Sequence, residues 1–287
     1  MTLAGIETRE LVLEGSGPPF LLIHGFADSA DSWRPLLAEL AAAGRAAVAI
    51  DLAGFGASHA ADLSGGEMLP RWDTMVAEAV ARLSAAHGEV FVAGNSLGGC
   101  LAMRAAQDGD LPLAGIVPIA PAGLDMARWF PLIESERMLR LLRRSPVPVP
   151  ELLVREIVGR VYVNLAFADR SRATPELVAS FTRHLPTVGR SSTVLDIGRR
   201  LLPELANPFW LDTIDCPLLL VWGDRDRMVF TTGAERVLRT VPYSDIEVIA
   251  GCGHCPQVEM PAALADLLLR FPDEFEHARP DEPADES

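Results

Sequence analysis

Val90-Phe91-Val92-Ala93-Gly94-Asn95-Ser96-Leu97-Gly98-Gly99-Cys100-Leu101 runs from an unbroken apolar stretch, through glycines flanking a serine, into a helix-periodic stretch. An apolar run without polar alternation predicts a strand buried on both faces. The glycines leave room for a sharp strand-to-helix turn, and Ser96 then stands at a helix N-terminus, whose dipole favours negative charge. A G-x-S-x-G pentapeptide between a strand and a helix is the pattern of a nucleophilic serine on a strained elbow. The pentapeptide alone arises by chance, so the flanking elements carry the inference.

Working outward, short apolar runs recur at 20–23, 46–50, 113–119, 218–222 and 246–249, each ending in a Gly- or Asp-bearing turn. Helical patterns lie between them at 33–43, 72–86, 97–107, 234–240 and 262–271. This alternation predicts an α/β fold, a mostly parallel central sheet flanked by helices, with the ligand site at the carboxyl ends of the strands. The rhythm breaks over 123–211, where helices are expected at 134–144, 151–167, 175–185 and 193–202. An all-helical insertion leaving the active edge reads as a lid, its alternative being a structural elaboration remote from the site. Residues 1–122 and 212–272 form the expected core, and the Pro- and acid-rich stretch 273–287 reads as a disordered tail.

With 49% hydrophobic residues among 287, the chain can bury a sizeable core. Its net charge of −14 excludes an extensive phosphate-binding surface, so no nucleic-acid partner is expected. Arg137, Arg140, Arg143 and Arg144 have the spacing of a solvated helix face. No membrane span, secretory signal or disulfide framework is recognised, which predicts a cytoplasmic protein. The expected partner is a small-molecule substrate, and a homodimer is compatible with the sequence.

Taken together, the elbow and the strand–helix order resemble the α/β-hydrolase family through nearly the whole chain outside the lid and tail. His24-Gly25-Phe26 follows a strand as the family's HG-x loop does. That resemblance implies an oxyanion hole from the Phe26 and Leu97 N–H groups, with His24 structural. Asp51-Leu52-Ala53-Gly54-Phe55-Gly56 resembles the family's structural turn after the next strand. A serine hydroxyl needs a histidine to take its proton and a carboxylate to orient that histidine. Six histidines compete. His254, in Gly253-His254 after the last strand, resembles the family's catalytic histidine, whereas His59, His87, His184 and His277 read as surface residues. The stretch Gly223-Asp224-Arg225-Asp226 offers two acids; the family's G-x-x-D pattern selects Asp226, with Asp224 as a turn residue. The order Ser96, Asp226, His254 is that of this fold.

Cys252-Gly253-His254-Cys255 also admits a redox or a zinc reading, but it is followed by Pro256, and a zinc site would consume the base. No metal and no cofactor are expected. Cys100 and Cys216 read as small buried hydrophobes. Trp129, Phe130, Leu132, Phe167, Phe181, Phe209 and Trp210 could line an apolar acyl pocket or simply pack the insertion.

The leading expectation is a carboxylic ester hydrolase working through an acyl-enzyme. The second is a carbon–carbon bond hydrolase of ring-fission products, suggested by Asn95 and the helical lid. That subgroup's HGxGPG loop is here His24-Gly25-Phe26-Ala27-Asp28-Ser29, and its Trp after the histidine is Cys255, so it ranks below the ester reading. A catalytically silent binding protein on the same scaffold is the third, disfavoured by an intact triad.

Overall fold

A computed structural model describes residues 1–58, 66–127, 151–182 and 188–276. The strands are β1 (Thr2–Leu3), β2 (Ile6–Glu7), β3 (Glu10–Leu13), β4 (Ser16–Ile23), β5 (Arg45–Ile50), β6 (Val90–Asn95), β7 (Leu113–Ile119), β8 (Asp125–Met126), β9 (Leu218–Gly223), β10 (Val229–Phe230) and β11 (Ser244–Ile249). The helices are α1 (Arg34–Ala42), α2 (Leu69–His87), α3 (Leu97–Ala105), α4 (Glu151–Ala166), α5 (Pro175–Thr182), α6 (Val188–Glu204), α7 (Ala234–Thr240), α8 (Pro256–Glu259) and α9 (Pro261–Glu276).

Seven strands form one sheet in the order β11-β9-β7-β6-β4-β5-β3, parallel except for β3, which pairs antiparallel with β5. The six predicted strands are all present. The edge strand β3 escaped sequence reading because Glu10-Leu11-Val12-Leu13 is short and acid-flanked, with Val12 largely exposed. The opposite edge also departs from expectation: β11 is only half-buried, as its alternating Asp245, Glu247 and Val248 suit an edge rather than a central strand.

The inner strands lack polar alternation because helices cover both faces. Ile23, Val92, Ile116 and Trp222 pack on one side with Trp72, Val76 and Leu101 of α2 and α3. Leu22, Phe91, Val117 and Val221 pack on the other with Leu36 and Leu40 of α1 and Leu268 and Phe271 of α9. Along α2 the buried positions Leu69, Trp72, Met75, Val76, Ala79 and Val80 follow helical spacing.

Within 123–211, α4, α5 and α6 occupy three of the four predicted helical stretches, α6 starting earlier than expected at Val188. The predicted helix 134–144, with its four arginines, and the proline-rich 145–150 lie outside the described residues. The segment is not wholly helical: β8 pairs antiparallel with β10, so the chain leaves the core beside the loop that carries Asp226. The chain end is corrected too. Helix α9 continues through Pro272 to Glu276, five residues past Phe271; residues 277–287 lie outside the described residues.

Candidate active site

Ser96 sits between β6 and α3 with φ 55° and ψ −110°, a backbone conformation few side-chain-bearing residues adopt. Its N–H is bonded to Ile119 O at 2.8 Å. A Cβ on Gly94 would collide with the Gly98 carbonyl, and one on Gly98 with Ile23 O, so both glycines of the pentapeptide are sterically required. Leu97 begins α3, where the first N–H groups have no intrahelical acceptor.

The 24–29 loop packs directly on the elbow: a Cβ on Gly25 would lie 3.5 Å from Ser96 Cβ. His24 is buried and both ring nitrogens are engaged, Nδ1 with Gly25 O at 2.7 Å and Nε2 with Leu52 N–H at 3.0 Å. Nε2 accepts, so Nδ1 carries the proton and donates. Phe26 meets Phe55 edge to face, their ring centres 5.2 Å apart. The two loops are further joined through Asp51, which takes the Ala30 and Ala57 N–H groups and a two-point bond from Arg9. In the same loop Asp28 is buried, and desolvation pushes its carboxyl up to about 8, against the opposing pull of bonds from Ser32 and the Ser29 N–H.

His254 Nδ1 lies 2.7 Å from Asp226 Oδ2, with both side chains almost wholly buried. The other carboxylate oxygen of Asp226 accepts the Met228 and Val229 N–H groups at 2.7 and 3.1 Å, which fixes the acid before it meets the ring. Nδ1 faces the carboxylate, and Nε2 is buried and without a bonded partner among the described residues. Asp224, the competing acid, accepts Gly251 N–H and is exposed, as befits a turn residue.

The histidine loop is tied down by Asn95, noted above beside Ser96, and by Gln257, Ala166 and Glu259, which the sequence reading did not single out. Asn95 Nδ2 donates to His254 O at 2.8 Å, which places this loop against the residue next to Ser96. Gln257 Nε2 donates to Asn95 Oδ1 at 3.2 Å. His254 N–H donates to Ala166 O, the last residue of α4, at 2.7 Å. Glu259, buried, accepts Gly253 N–H at 2.8 Å, Ala168 N–H at 3.2 Å and Asp169 N–H at 2.8 Å. The end of α4 and the histidine loop therefore form one hydrogen-bonded unit.

Cys252 and Cys255 are both buried, and burial raises their thiols, that of Cys252 to about 12. Such thiols stay protonated, which is the reverse of a redox-active pair. Cys255 instead meets the Tyr162 hydroxyl of α4 at 3.1 Å. Among the described residues no group of three His, Cys, Asp or Glu side chains could hold a metal ion. Cys100 is buried, but Cys216 is only half-buried.

The candidate pocket residues are dispersed. Phe167 is buried in a small cluster with Ala166, Cys255 and Val258, against the histidine loop. Trp210 must be corrected: it is 71% exposed, and its N–H bonds Gln107, beyond the end of α3 remote from Ser96. Phe209 is buried in the core. Trp129, Phe130 and Leu132 lie outside the described residues, as does the Phe181 side chain.

Residues 20–267 match the alpha/beta hydrolase family, and the chain belongs to it. An uncharacterized protein of Mycobacterium tuberculosis is 30% identical over 306 residues, covering 96% of this chain and 81% of its own. A pimeloyl-[acyl-carrier protein] methyl ester esterase of Xanthomonas campestris is 27% identical over 90% of this chain and 96% of its own. A 2-hydroxy-6-oxononadienedioate/2-hydroxy-6-oxononatrienedioate hydrolase of a Pseudomonas species is 27% identical over 62% of this chain and 61% of its own. Among the described residues no helix is long and apolar enough to cross a membrane.

Proposed function

We propose that the protein hydrolyses a small carboxylic ester with Ser96 as nucleophile, His254 as base and Asp226 as its orienting acid. The observation that carries this reading is the buried 2.7 Å contact between His254 and Asp226, on a loop bonded to the neighbour of a strained Ser96. His254 Nε2 takes the hydroxyl proton as Ser96 Oγ attacks the acyl carbonyl. The resulting oxyanion is held by the Phe26 and Leu97 N–H groups, each donor being worth about 10²–10³ in rate. His254 then gives its proton to the departing alcohol. Water, deprotonated by the same nitrogen, attacks the acyl-enzyme carbonyl and frees the carboxylic acid. The segment 123–211 acts as the lid that selects an apolar acyl group, and the enzyme works in the cytoplasm.

A fluorophosphonate probe tests this: it should label the wild type and not Ser96→Ala, and labelling retained in the variant would refute the nucleophile assignment. A second reading, hydrolysis of a carbon–carbon bond in a ring-fission dienone, is favoured by Asn95 beside Ser96 and by the similarity to the Pseudomonas hydrolase. Bleaching of a yellow dienone without turnover of p-nitrophenyl esters would put that reading first.

A further inference from the structure

The chain carries a net charge of −14, yet one cleft outside the triad is walled by four arginines. Arg170 and Arg172 come from the turn that follows α4; Arg225 and Arg227 flank Asp226 on the loop after β9. Ala168, Asp169, Ser171, Gly251 and Met260 complete the wall of this open cleft, whose volume is about 650 Å³. That volume suits a small organic ligand, for which pockets run about 300–1,000 Å³. Neither Ser96 nor His254 lines it.

Of the four guanidinium groups, only Arg172 stands within ion-pair distance of a carboxylate among the described residues, 3.6 Å from Asp169. Arg172 donates to Glu259 O at 2.8 Å and Arg227 to Asn164 O at 3.0 Å, both neutral carbonyls. The Arg170 and Arg225 side chains meet no acceptor among the described residues. The nearby carboxylates keep their charge while holding other donors. Asp169 takes the N–H and hydroxyl of Ser171 and stands 3.6 Å from Arg172; Glu259 takes three backbone N–H groups; Asp224 takes one from Gly251. With Arg170, Arg225 and Arg227 meeting no carboxylate at ion-pair distance among the described residues, an entering anion finds cationic partners in the wall. Guanidinium groups also match phosphate oxygens in two-point geometry, which lysines do not.

We propose that this cleft binds a compact ligand carrying two linked phosphates, one met by Arg170 and Arg172 and the other by Arg225 and Arg227. Two arginines on each of two chain segments call for two anionic groups rather than one. Inorganic pyrophosphate and a nucleoside diphosphate share this chemistry.

Isothermal titration of the full chain at low ionic strength, with pyrophosphate, ADP and orthophosphate as probes, tests the site. Pyrophosphate should bind one to one and at least about tenfold tighter than orthophosphate, since a second charge-assisted contact is worth at least that factor. Arg170→Ala and Arg225→Ala should each weaken pyrophosphate about tenfold or more, with melting temperatures unchanged because both side chains are exposed. ADP binding as tightly as pyrophosphate assigns the site to nucleotides, and pyrophosphate binding alone assigns it to the inorganic ion; each supports the proposal. Absence of binding, equal affinity for orthophosphate, or undiminished affinity in the folded variants overturns it. None of these outcomes bears on the Ser96 labelling experiment.

Discussion

Replacing Glu259 should separate the fold from the chemistry. Its carboxylate accepts N–H groups from Gly253, Ala168 and Asp169, so it joins the residue before His254 to the turn after α4. In Glu259→Gln the amide oxygen can keep the Gly253 and Ala168 bonds, while its NH2 group faces the Asp169 N–H. One hydrogen bond to a charged acceptor is lost, about 1.5–3 kcal/mol. Asp169 is exposed, and its freed N–H can turn to water, which favours the lower figure. In Glu259→Ala all three bonds go, and the buried Gly253 N–H loses its acceptor, which costs a further ~1–3 kcal/mol. The Ala variant also frees the histidine loop, and displacement of a catalytic group by about 1 Å costs up to ~10²-fold in rate. The expected result is kcat lowered about tenfold to a hundredfold in Glu259→Ala, less than tenfold in Glu259→Gln, with KM changed little. Measured on a p-nitrophenyl ester well below each melting temperature, the acid limb of kcat/KM should also move, because the His254–Asp226 geometry changes. Wild-type kcat and pH profile in a destabilised but folded Glu259→Ala would refute the reasoning and leave Glu259 a structural residue only.

Other perturbations have comparably direct readouts. Asp226→Asn should keep the Met228 and Val229 N–H bonds, and so the fold, while presenting a donor to His254 Nδ1; kcat should drop about 10⁴-fold with melting nearly unchanged. Burial raises the Asp28 carboxyl to about 8 from 3.8 in the open chain, so the folded state holds a proton that the unfolded state has released. Its stabilisation is therefore complete below about pH 4 and fades as pH rises toward 8, and Asp28→Asn should flatten that part of a denaturation-versus-pH series. Persistence of the full slope in the variant would assign it to other groups. Trp210→Ala should leave both ester turnover and stability within about 0.5 kcal/mol, as an exposed side chain far from the elbow requires; an altered KM would contradict that location.

The fold was legible wherever chemistry and periodicity coincide. Strands covered on both faces must be apolar, and 20–23 of β4, 90–93 of β6, β7 and 218–222 of β9 are, so their runs stand out. At the sheet edges that requirement lapses, which is why β3 was missed and β11 misjudged as fully buried. The elbow was legible for a steric reason: the two glycines around Ser96 have no substitute where the Gly98 carbonyl and Ile23 O close in. Asp226 was a choice between two acids, and local bonding now distinguishes them, since Asp226 meets His254 while Asp224 closes a turn.

What remained hidden is the attachment of the helical segment to the histidine loop, and the reason is physical. A main-chain carbonyl has no sequence signature, so nothing in Ala166 announces that its oxygen holds the His254 N–H. Glu259 resembles any acid in an exposed first turn, yet it is buried and satisfied by N–H groups from the adjoining loop and from one distant segment. Trp210 fails in the opposite sense, because aromatic character predicts burial and here the ring faces solvent. The consequence reaches the chemistry. With Ala166 and Glu259 both bound to the histidine loop, the end of α4 cannot shift without moving His254 or breaking those bonds. A ligand that displaces α4 therefore also moves His254.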